Sequence, residues 1–162
     1  MIIFKKTNIR NGMKMNNGEI INKIEDLLEK DCFVIDFLPR RVPENSGGGF
    51  FAVEEHYLES HGTQLRRKFA DILLKLNCYY SFIVCSGEDC VCEEKPSPAR
   101  VEALTLENKT FFNILIESEN TLLSVDRDSV YISVYNPSSE VLKTLEPLAQ
   151  ANGLFIRKSG ID

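Results

Sequence analysis

The chain has 162 residues, the size of one domain, and is long enough to bury roughly two-thirds of its unfolded surface. With 43% apolar and 27% charged residues it has the balance of a folded chain, and its net charge of −5 excludes indiscriminate attachment to nucleic acid or anionic membrane. No apolar run reaches the roughly twenty residues that span a bilayer.

The opening Met1-Ile2-Ile3-Phe4-Lys5-Lys6 places its apolar residues before its charges, the reverse of a secretory signal, which predicts a cytoplasmic protein. Residues 1–17 read as an Asn- and Lys-rich extension, an edge strand at most, and residues 18–162 as a single α+β domain. Ile20, Ile21, Ile24, Leu27 and Leu28 recur at helical spacing and predict an amphipathic helix from Glu19. The apolar run Cys32–Leu38 predicts a buried strand stopped by Pro39.

A long loop follows from Pro39 to Gly49, with two prolines, three consecutive glycines, Arg40, Arg41 and Glu44. Loops of this kind commonly carry function. Phe50–Glu59 has no decisive period and reads as a strand running into a helical turn. From Gly62 or Thr63, the residues Leu65, Phe69, Ile72, Leu73 and Leu76 fall on one helical face, with Arg66, Arg67 and Lys75 on the other.

Tyr79–Val84 is β-prone, the cysteine-rich acidic segment after it reads as a loop, and Ser97-Pro98 opens a helix to about Leu106. Phe111–Ile116, Thr121–Asp126 and Tyr131–Tyr135 predict a three-strand meander, because short polar connections join antiparallel neighbours. Asn136-Pro137 starts a last helix containing Pro147, and Leu154–Ile156 a last strand. The order predicts an antiparallel or mixed sheet with about four packed helices.

Five cysteines, an odd number, argue against a disulfide framework, and Cys32 and Cys78 read as small buried hydrophobes. Cys85, Cys90 and Cys92 are the weak metal candidates: their spacing offers only one short pair, and Glu88, Asp89, Glu93 and Glu94 disfavour thiolates. No cofactor is expected. His56 and His61, flanked by Glu54, Glu55 and Glu59, lack any nucleophile motif and read as solvated. Asp36 is the telling charge, since a carboxylate inside an apolar strand needs a partner, for which Arg40 or Arg41 is the nearest candidate.

The segments Phe33-Val34-Ile35-Asp36-Phe37-Leu38-Pro39-Arg40-Arg41-Val42-Pro43 and Val134-Tyr135-Asn136-Pro137-Ser138, with Gly153-Leu154-Phe155, resemble a family of small bacterial proteins of the gut Firmicutes type. The resemblance runs from about Ile20 to Ser159 and implies no assigned activity. Size, acidity and α+β character are also similar, at the level of class, to immunity proteins of toxin systems.

These readings predict a non-catalytic protein-binding domain, with immunity proteins as the class it resembles, that takes neither nucleic acid nor membrane and leaves its oligomeric state open. The alternative is a small enzyme or ligand-binding protein built on the Arg40–His61 region. In either case the candidate binding residues are Asp36, Arg40, Arg41, Glu54, Glu55 and His56.

Overall fold

The computed structural model describes residues 14–160. In chain order these form α1 (Asn17–Leu28), β1 (Cys32–Asp36), α2 (Phe50–Asn77), β2 (Ile83–Ser86), β3 (Val91–Glu94) and α3 (Pro98–Glu107). Then follow β4 (Phe112–Ile116), β5 (Thr121–Val125), β6 (Tyr131–Tyr135), α4 (Ser139–Ala151) and β7 (Phe155–Lys158). All seven strands join one antiparallel sheet in the order β3-β2-β4-β5-β6-β1-β7. The fold is α+β, and the expected meander is its β4-β5-β6 centre.

The period-two alternation of the strands divides the core in two. On one face, Ile35, Val84, Phe112, Ile114, Ile116, Leu123, Ile132 and Val134 pack under α2, α3 and α4 around Phe69, Ile72, Leu73 and Leu76. Phe69, Ile72, Leu73 and Leu76 are each fully buried. On the other face α1 alone sets Ile20, Ile24 and Leu27 against Ile83, Cys85, Leu115 and Leu122. One helix of 12 residues cannot cover seven strands, so the β6-β1-β7 side of that face stays open.

Local chemistry accounts for most element ends. Asn16 and Glu19 form a reciprocal capping box at α1, and Ser97 and Ser138 accept the third backbone amides of α3 and α4. The cap of α4 is therefore Ser138 rather than the expected Asn136, whose left-handed φ of 50° turns the chain while its amide donates to the Asn120 carbonyl at 2.8 Å.

Several expectations are corrected. Phe50–Glu59 is no strand but the first part of the 28-residue α2. Its period was illegible because this part overhangs the sheet, leaving Phe51 and Val53 exposed and only Tyr57 and Leu58 against the core. Strand β2 starts at Ile83, because the amides of Tyr79 and Tyr80 still donate to the Leu76 carbonyl. Val91–Glu94, read as loop, is the edge strand β3.

Arg66 does not lie on the polar side of its helix. It is 5% exposed, with its aliphatic stem buried and Nη1 donating to the Asp126 carbonyl at 3.2 Å. That burial lowers its pKa through desolvation. The cysteine expectation also fails: the register sets Cys85 opposite Cys92, and the two are bonded as a disulfide. Cys78 is exposed and Cys32 half-buried. The expected N-terminal edge strand falls mainly on residues 1–13, outside the described residues, and residues 14–16 carry no strand.

Candidate functional site

Register builds the site on the open side of the sheet. Antiparallel partners share a face, so Cys32 lies beside Tyr135, Val34 between Ser133 and Arg157, and Asp36 between Tyr131 and Phe155. Above them is a cleft of about 570 Å³ whose lining includes Cys32, Asp36, Tyr131, Ser133, Tyr135 and Arg157, with Arg41 and Glu54 from the next segments.

An ion pair forms its floor. Arg157 Nη2 donates to Asp36 Oδ2 at 2.8 Å, and the Leu38 amide donates to the other carboxylate oxygen at 3.2 Å. The Asp36 side chain is 8% exposed and that of Arg157 22%, so the pair is largely shielded from solvent. Its partner is thus Arg157, 121 residues away in sequence, and not Arg40 or Arg41. Those two follow Pro39 into the loop, whereas β7 pairs directly with β1. The Nε of Arg157 is buried and finds no hydrogen-bond partner among the described residues.

A second depression, of about 500 Å³, shares Asp36, Arg41, Phe50 and Arg157 with the first. Its wall is the 39–48 loop, including Arg40, Val42, Pro43 and Glu44, together with the exposed Phe51. The Asp36–Arg157 pair therefore separates two hollows on one surface.

Of the residues singled out in the sequence, Asp36, Arg41 and Glu54 line the cleft and Arg40 lines the neighbouring depression. Glu55 and His56 line neither. Both are exposed on α2, where the His56 ring meets His61 edge-on at 6.5 Å. His61 leans on Tyr57, which stacks on Phe37 at 4.8 Å, so the imidazoles belong to an aromatic run along the helix.

Sequence reading missed Arg157, Tyr131, Ser133 and Tyr135. The alternation of Tyr131, Ser133 and Tyr135 with Ile132 and Val134 was a readable sign that one face is polar. Arg157 carried no local sign, since its role depends on which strand β7 joins.

The cleft contains one thiol and two phenols but no imidazole among its lining residues. Burial pushes the Cys32 thiol pKa up, and burial followed by the neighbouring Cys32 does the same to the Tyr135 phenol. Both groups are held in their neutral, hydrogen-bonding forms, the opposite of an activated nucleophile. The arrangement suits recognition by shape, aromatic contact and charge. No helix among the described residues is long and apolar enough to cross a membrane. No family model, no curated protein and no solved structure matches this chain.

Proposed function

We propose that this chain is a non-catalytic protein-binding domain and that the open side of its sheet, with the rim of the 39–49 loop and the start of α2, is the surface it uses. The observation that carries the reading is the set of exposed aromatic side chains, with an arginine, on the side of the molecule that holds the Asp36–Arg157 pair. Phe51 is 82% exposed, Tyr131 41% and Phe155 40%, and Arg41 lines both hollows. Aromatic residues and arginine supply most of the energy where proteins meet, because they bury large rigid surfaces at small entropic cost. In the finer form of this proposal the domain is a cytoplasmic, immunity-like protein that covers a basic partner. Support for it comes from the chain's net charge of −5 and from Glu54, Glu55 and Glu59 beside the rim, which would steer such a partner in.

A second reading, small-ligand binding, is favoured by the cleft itself, whose 570 Å³ falls within the roughly 300–1,000 Å³ typical of ligand sites. Affinity purification distinguishes the two readings. The wild-type chain should retain a specific protein from its source cells, and so should Lys143→Glu on the opposite face. The double variant Arg41→Ala, Tyr131→Ala should lose it. A retained set unchanged by the double variant, or none retained at all, removes the protein-binding reading. A metabolite that raises the melting temperature of the wild type but not of the double variant establishes the second.

A further inference from the structure

The β2–β3 hairpin carries three cysteines that take no part in the cleft. Register places Cys85 directly opposite Cys92, and the sulfurs of Cys85, Cys90 and Cys92 all lie within 4.8 Å of one another. Cys90 reaches the other two because its backbone is left-handed, with φ of 47°, after Gly87 at φ 75°. A side chain other than glycine or asparagine is uncommon in that region. The turn is held by the Cys90 amide donating to the Gly87 carbonyl at 3.1 Å, and the Cys92 sulfur lies 3.5 Å from the Cys90 carbonyl oxygen.

All three sit against one apolar cluster beneath α1: Cys85 is 1% exposed within it, and Cys90 and Cys92 pack half-buried against it. Cys92 shares a depression with Glu94, and Glu88, Asp89 and Glu93 stand exposed nearby in the hairpin. Three sulfurs on one hairpin, backed by an apolar floor and with carboxylates nearby, suit a divalent cation that prefers thiolate. Zinc–sulfur bonds of about 2.3 Å in a tetrahedral site put sulfurs about 3.8 Å apart, which the present spacing reaches with small side-chain rotations.

We propose that the reduced hairpin is a zinc site with Cys85, Cys90 and Cys92 as its three protein ligands and water in the fourth position. The spacing of these residues along the chain gave little sign of it, because the site is assembled by strand pairing and the turn. The Cys85–Cys92 disulfide is the oxidised, metal-free form of the same cluster. A dithiol reductant supplies two electrons and two protons to that bond and leaves as its own disulfide. Zinc then displaces one proton from each thiol into the buffer as the three thiolates form.

The test is a zinc titration against a chromophoric chelator, made on protein reduced with dithiothreitol and desalted without oxygen. The reduced wild type and a Cys32→Ala, Cys78→Ser variant should each bind one equivalent, and the oxidised protein none. Cys90→Ser and Cys92→Ser should each weaken binding by about tenfold or more, since a lost ligand costs at least as much as a lost supporting contact. Cobalt in place of zinc should give thiolate-to-metal charge-transfer absorption that disappears in Cys90→Ser. Cys90 sits in the turn outside the paired strands, so this variant decides the matter even if Cys92→Ser does not fold. Absence of stoichiometric binding by the reduced wild type, or undiminished binding by Cys90→Ser or by the oxidised protein, overturns the proposal.

Discussion

Arg157 on the last strand and Asp36 on the first are joined at 2.8 Å beneath the open side of the sheet. The bond ties the last strand to the first, its neighbour in the sheet, and gives the cleft its floor. Removing the carboxylate leaves a shielded guanidinium without its counter-charge, which is the costly way to break such a pair.

Asp36→Ala is therefore expected to destabilise the fold by about 2–3 kcal/mol, in the upper part of the roughly 1.5–3 kcal/mol range for hydrogen bonds to charged groups. At this size the melting temperature should fall by roughly 4–12 °C. Thermal unfolding measures it, and a double-mutant cycle with Arg157→Ala isolates the coupling. An unchanged midpoint would show that the pair serves the cleft without supporting the fold.

Phe69 is fully buried where α2 crosses the sheet among Ile72, Leu73 and Leu76. Truncation to alanine removes its transfer free energy and leaves a cavity that the rigid sheet cannot fill. Phe69→Ala should cost about 3–5 kcal/mol in urea unfolding. A loss below about 1 kcal/mol would mean that the helix repacks freely over the sheet.

The cysteines outside the hairpin should differ in reactivity. Cys78 is exposed after α2, whereas Cys32 lies half-buried on the cleft floor with its pKa raised by burial. At neutral pH iodoacetamide should alkylate Cys78 well before Cys32, because only the thiolate reacts. Mass spectrometry of peptides at timed intervals reads the order. Equal rates would contradict the desolvated setting of Cys32.

Asp71 accepts hydrogen bonds from Lys75 at 2.8 Å and from the Asn152 side chain at 2.9 Å, joining α2 to the end of α4. The Lys75 bond and then the Asn152 bond hold its carboxyl pKa below the usual value. A depressed pKa gives stability that is fully present above the unfolded-state pKa and is lost as pH falls through the folded one. Between about pH 5 and pH 2 the wild type should thus lose more stability than Asp71→Asn. The difference should stay under about 1 kcal/mol, because the carboxylate is partly exposed. Parallel slopes of melting temperature against pH would remove Asp71 from the acid response.

Local signals in the sequence were enough for the α+β class, the buried face of the second half of α2, the central meander and the serine that caps α3. Each depends on residues within a few positions of one another, where periodicity and capping act directly. The start of α2 was misread because Phe51 and Val53 lie beyond the sheet and leave no apolar period. Asp36 was legible as a charge in need of a partner, since burial cost follows from its neighbours in the strand. Which arginine answers it and which side of the sheet α1 leaves open were decided by the tertiary structure alone. These depend on strand order and register, and those are set by packing between segments up to 121 residues apart.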